Sequence, residues 1–212
     1  MFNNDKLLFS AKNEVSAVKN IVNEYEDYLK NGDDGKAKQQ FQIIAKIMKE
    51  RTEERYVKPI NMFLHNCREH PEQSGFIVMV INCILLELYF EMTNGFDTSD
   101  ENGCKVKDAY TTILPLLDSN ITPDTATKFY KGIRCKIIHQ GQTGEHTAIT
   151  FDSLINDIIT QNGGYYLCNP KVLFDKLCSL YKEYWKELSE GRNITQKINF
   201  IKKFKYILYH DD

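Results

Sequence analysis

The stretch FIVMVINCILLELYF, residues 76–90, constrains this chain more than any other. Wound at about 3.6 residues per turn, it puts apolar side chains on nearly every side, so a helix over 73–94 has almost no polar face to turn to water. Such a helix belongs at the centre of a bundle. The stretch falls short of the roughly 18 residues that cross a hydrocarbon core, and Asn82 and Glu87 interrupt it, so it predicts a buried helix with no role in a membrane. On the helical wheel Glu87 falls among Phe76, Val80, Cys83 and Ile84. A carboxylate there needs a partner, because an unpaired buried charge is costly. Arg134 is the candidate cation. The other reading leaves Glu87 and Glu91 on a narrow solvated stripe.

With 212 residues, 42% of them hydrophobic, the chain suffices for one substantial domain, or for a domain with a helical extension. A net charge of −2 excludes a uniformly basic nucleic-acid binder, so any such contact must come from local patches. The six cysteines contain no C-x-x-C pair, and several lie in apolar helical runs, as expected of reduced core thiols in a cytoplasmic protein. Asn3, Asn4, Asp5 and Lys12 interrupt any apolar leader. Phosphate loops, dinucleotide fingerprints, nucleophile elbows and zincin motifs are absent from the sequence. His65, Cys67 and His70 are poorly spaced for a metal and no second cluster completes them, so no metal or other cofactor is expected.

Leu8, Ala11, Val15, Val18, Val22, Tyr25 and Leu29 repeat at alternating three and four spacing, a heptad seam. After the turn 31–35, a second helix carries Phe41, Ile44, Ile47 and Met48 and should end before Pro59. Residues 1–58 thus form a helical-hairpin extension, either packed on the body or used for dimerisation, and residues 59–212 form the main bundle. Helices are expected over 106–117, 123–139 and, opened by Asn169-Pro170, up to Gly191. Segments 147–151 and 165–168 are rich in β-formers and suit a very small hairpin or ordered loops. The last helix, 192–209, carries Lys197, Lys202, Lys203 and Lys205 among Phe and Tyr residues. That mix suits RNA backbone contact and base stacking, or simply a solvated face.

The helix over 123–139 holds the chemistry. Thr122-Pro123 reads as a cap followed by proline at the first helical position, and Gln140-Gly141 supplies the stop. Ala126, Phe129, Tyr130, Ile133 and Ile137 form the core stripe. Arg134 and His139 then flank that stripe, roughly 140° apart at 100° per residue. The sector between them carries Lys131, Cys135 and Ile138 and predicts a second, partly apolar face that meets a partner. Arg134 is a permanent cation whose planar fork fits phosphate. His139 moves protons near neutral pH, and its place in the last turn favours the imidazolium. Together they are the minimal equipment for metal-free phosphodiester cleavage. The plainer reading is a capping histidine and a surface arginine.

An all-helical chain whose long apolar helix precedes a helix ending in R-x-x-x-x-H resembles the HEPN superfamily, best over residues 73–190. Phe129-Tyr130, Ile133-Arg134-Cys135 and His139-Gln140-Gly141 are similar to the motif region of uncharacterised bacterial members. The resemblance implies an all-α helical bundle that forms a homodimer, in which the motif helices of two protomers build one metal-independent ribonuclease site. It makes Arg134 and His139 the catalytic pair; Glu87, as the partner of Arg134, and Lys131 and Cys135, from their places on the wheel, are the expected supporting residues. It also implies RNA as substrate, a toxin or antiviral role, and a cognate antitoxin or defence partner. Cys135 departs from the polar residue that usually follows the motif arginine. Some family members without full motifs only bind RNA or nucleotides, so the resemblance also allows an RNA- or partner-binding module without cleavage.

Overall fold

The computed structural model describes residues 2–3, 6–152 and 154–209. Asn4 and Asp5, named above against a leader, lie outside them, as does residue 1, the first of the expected hairpin extension. The described chain is mostly helical with a very small sheet. A short ribbon of β1 (Phe2–Asn3) and β2 (Lys6–Leu7) precedes α1 (Val15–Lys30) and α2 (Asp34–Thr52). The helix begins later than the heptad pattern suggests. Leu8 pairs with Glu14 in an extended bridge, and Ala11 and Leu29 are exposed. Only Val18 and Val22 of the seam are fully buried, and α1 packs on α2 within the same chain.

Helix α2 does not stop before Pro59. It continues through a π-helical turn, Glu53–Val57, into α3 (Lys58–Asn66). The Lys58 N–H bonds to the Glu53 carbonyl, five residues back. Proline lacks an N–H and its ring crowds the carbonyl four residues earlier. The wider turn just ahead of Pro59 absorbs that misfit.

A 3₁₀ turn, Pro71–Ser74, leads into α4 (Gly75–Asn94). The whole run Pro71–Asn94 is long and apolar enough, by length and composition, to cross a membrane, which the shorter apolar stretch did not suggest. Here 56% of its most apolar window is buried inside the fold. It packs against α5 (Val106–Leu117), α8 (Pro170–Glu190) and α9 (Ile194–Tyr209), with Val78, Leu85, Leu86 and Met92 wholly buried. Asn82, buried in this helix, donates its amide to the Pro170 carbonyl at 2.8 Å.

One continuous helical run forms α6 (Pro123–Phe129), a second π-helical turn (Tyr130–Arg134) and α7 (Cys135–Gln140). A three-stranded sheet follows: β3 (Thr147–Ile149), β4 (Ile159–Asn162) and β5 (Tyr165–Cys168), in the order β3-β5-β4. The two expected extended segments, β3 and β5, pair parallel. The hairpin is instead β4–β5, through Gly163 and Gly164 at φ +56° and +83°, the conformation a two-residue hairpin turn demands. Asn169 caps α8 by accepting from the Lys171 and Val172 N–H groups.

A single core runs from Phe9 to Leu208. The rings of Phe9 and Phe204 lie 5.1 Å apart and those of Phe41 and Phe200 5.8 Å apart, joining the N-terminal segment to α9. The boundary expected at residue 58 falls inside a continuous helical run. The hairpin is therefore a layer of the main core, with the α1 seam facing inward.

Gly95 ends α4 with φ +67°, and a Cβ there would sit 2.9 Å from the Cα of Asn199 on α9. Gly95→Ala combines left-handed strain with a backbone clash, so it should cost about 2–3 kcal/mol in urea denaturation.

Candidate functional site

The motif helix is built as its caps dictate. The Thr122 hydroxyl accepts from the Thr125 N–H at 3.2 Å, and Gly141 closes the helix at φ +66°. Ala126, Phe129, Ile133 and Ile137 are buried along one stripe. Between them the helix widens: the Cys135 N–H reaches the Tyr130 carbonyl, a five-residue step. Such a turn adds about one residue of arc, roughly 100°, and re-aims every side chain after it relative to those before.

Arg134 ends the wide turn and points onto α4. Its Nε donates to Glu87 Oε1 at 3.0 Å and its Nη2 to Glu87 Oε2 at 3.3 Å, a two-point grip. Both side chains are less than one-fifth exposed. The Tyr110 hydroxyl, from α5, donates to the same Oε1 at 2.6 Å. Glu87 is thus the partner of Arg134, and the solvated-stripe reading does not hold for it. Glu91 is bound elsewhere, to Lys203 at 2.9 Å and the Ser99 hydroxyl at 2.6 Å.

Burial opposes the charge on Arg134, but the hydrogen bonds and charge of Glu87 outweigh it and raise the guanidinium further above its ordinary range. Burial, with Cys83 and Glu87 beside it, lifts the Tyr110 phenol well above its usual value, so it remains a donor. Burial pushes the Cys83 thiol up to about 12. The Tyr130 ring lies 6.0 Å from the guanidinium carbon, and its own phenol is raised by burial and by the neighbouring Cys135. Glu87 also lines a cavity of about 300 Å³ with Tyr56, Glu91 and Lys203.

His139 stands exposed in the last turn and makes no hydrogen bond or ion pair among the described residues. A fixed cation and an accessible imidazole therefore sit five positions apart on one helix, the first anchored and the second open. Ile138 beside it is 43% exposed. Lys131 is exposed, and Cys135 is half-buried. Lys131 lines a separate cavity with Lys128 and Lys136, because the wide turn intervenes.

The lysines of α9 have intramolecular partners. Lys203 is 5% exposed, paired with Glu91 and donating to the Asp97 carbonyl at 2.5 Å. Lys202 holds Glu101 at 2.7 Å, Lys205 holds Glu26, and the Lys197 ammonium lies 4.8 Å from the centre of the Phe41 ring. In this structure they fasten α9 to α1, α2 and the loop after α4. Tyr110 was not legible as a site residue, since it occupies an ordinary apolar position of α5 and only the fold brings it to Glu87.

Glu87→Ala would leave the guanidinium and the Tyr110 hydroxyl without their acceptor. It should cost about 2–4 kcal/mol in denaturant titration, and Glu87→Gln less. Because the native Cys83 thiol ionises only near 12, against an ordinary 9.0, the unfolded chain holds fewer protons in between. Its contribution is complete below pH 9 and is lost as pH rises toward 12, so Cys83→Ala should flatten the alkaline fall in stability measured by urea denaturation.

No family model matches the chain, and no curated protein or solved structure matches it either.

Proposed function

We propose that this chain is a metal-independent endoribonuclease of the HEPN type, acting as a cytoplasmic homodimer in a toxin or antiviral defence system. The observation that carries the reading is the two-point grip of Glu87 on Arg134, five residues before the exposed His139. Glu87 occupies Nε and one Nη2 hydrogen, leaving three of the five guanidinium donors for a phosphate. The anchoring fixes their direction before substrate arrives, which is what transition-state stabilisation requires.

In this mechanism a histidine acting as base takes the proton of a ribose 2′-hydroxyl, whose oxygen attacks the adjacent phosphorus. Arg134 stabilises the charge that builds on the pentacoordinate phosphorane. The bond to the 5′-oxygen breaks, and that oxygen takes a proton from a second histidine acting as acid. The products are a 2′,3′-cyclic phosphate and a 5′-hydroxyl. Pairing two protomers supplies both histidines and divides the two roles. A cognate antitoxin or other defence partner would cover the same helix.

Cys135 supports a second reading, an RNA- or partner-binding module without cleavage, since a half-buried thiol beside Tyr130 gives little hydrogen bonding to a phosphate. A helical adaptor working through the α1 seam has less support, because Val18 and Val22 are buried in the chain's own core.

The two readings separate in an RNA-cleavage assay run in EDTA. Wild type should cut, leaving 2′,3′-cyclic phosphate ends, and His139→Ala and Arg134→Ala should each slow the reaction by about 100-fold or more. Activity abolished by chelation, or kept by both variants, refutes the nuclease. Binding without cleavage, insensitive to His139→Ala, supports the module.

A further inference from the structure

A second cavity, of about 420 Å³, lies where the motif helix meets the small sheet, and it shares no lining residue with the Glu87 site. Its floor is a close backbone contact. Gly144 donates its N–H to the Gly132 carbonyl at 2.7 Å, and the Thr147 hydroxyl donates to the same oxygen at 3.0 Å. A Cβ on Gly132 would lie 2.4 Å from Thr147 Cγ2, so only glycine permits this approach. The wide turn matters here too. In an unbroken α-helix Lys136 would stand roughly 80° away from Lys128, and the extra arc returns it to the same side.

Three lysines therefore line the cavity from the helix, against one lining carboxylate, Glu145, in a chain whose net charge is −2. Lys128 is already held by Asp124 and by the Tyr166 hydroxyl, each at 2.7 Å. Lys131 and Lys136 have no acidic partner among the described residues. Tyr166 and His146 line the same cavity, and the Lys128 ammonium lies 4.9 Å from the centre of the Tyr166 ring. His146 is held at φ +57°, its carbonyl accepting from the Tyr166 N–H at 2.8 Å and its ring set edge-on to Tyr165 at 5.6 Å.

We infer that this cavity binds a phosphate-bearing nucleotide, with the phosphate on the Lys131 and Lys136 ammonium groups and the base against Tyr166 and His146. Two mobile ammonium point charges suit a phosphate. Aromatic faces accept any base. The volume falls in the range of small-ligand sites, on the order of 300–1,000 Å³. The nucleotide is either free or one unit of an RNA strand. The inference stands on this cavity and does not require that the chain cleave RNA.

Calorimetry in EDTA with adenosine and uridine 5′-monophosphates, and anisotropy with a short single-stranded RNA on the His139→Ala protein, distinguish the two sources. The monophosphates should bind at least about tenfold more tightly than the bare nucleosides. The double variant Lys131→Gln, Lys136→Gln should weaken binding by about tenfold, and Glu145→Gln should tighten it by about threefold, a gain that misfolding does not produce. Variant-sensitive binding of the monophosphates assigns a free nucleotide; variant-sensitive binding of RNA alone assigns a strand unit. No binding of either probe, or affinities unmoved by these charge changes, overturns the inference. Variant-sensitive binding in a wild-type protein that cuts no RNA would refute the nuclease alone.

Discussion

Glu87, one of two carboxylates in the mostly apolar helix α4, sets the arrangement around it. Helix α4 packs on α5, α7, α8 and α9, and Glu87 rides among its core residues, where it cannot be left without partners. Its two oxygens take up Arg134 from the motif helix and Tyr110 from α5. The same contacts that make burial tolerable fix where the motif helix docks and where the guanidinium points. Structure and candidate chemistry thus rest on one cluster, in which each member is needed to satisfy the others.

Two π-helical turns carry the other half of the design. The first lets a helical run pass through Pro59, so residues 15–66 wrap the core as a connected layer. The second lies inside the motif helix and changes the direction of everything beyond Tyr130. It turns Arg134 toward α4 and sets Lys136 beside Lys128 over a glycine floor. Insertions of this kind cost helix geometry, and they recur where a side chain must be re-aimed.

Much of this was legible in the residues. The central position of α4, the caps at Thr122 and Asn169 and the stop at Gly141 follow from local patterns, because apolar period and capping chemistry act within a few residues. The pairing of Glu87 with Arg134 was legible as a need for a partner. The late start of α1 was not, since Leu8 and Ala11 fit the heptad spacing but take extended and exposed positions. A very small hairpin was expected, with 165–168 as one strand, but its partner β4 was missed, although Gly163-Gly164 between two β-forming runs carries a recognisable signal. The α9 lysines looked free in sequence because their acidic partners lie as far as 179 residues away.

What the sequence determined by itself is local: which segments wind into helices, where they begin and stop, and that residues 123–140 hold a permanent cation and a titratable imidazole. Tertiary structure decided which groups share an environment. Only packing brought Tyr110 to Glu87, fastened Lys202, Lys203 and Lys205 to distant acids, and let Lys131 and Lys136 face a common cavity. The reason is physical. Helix winding and capping are set by neighbours along the chain, whereas charge pairing and cavity shape depend on through-space distances that exist only once the core has closed.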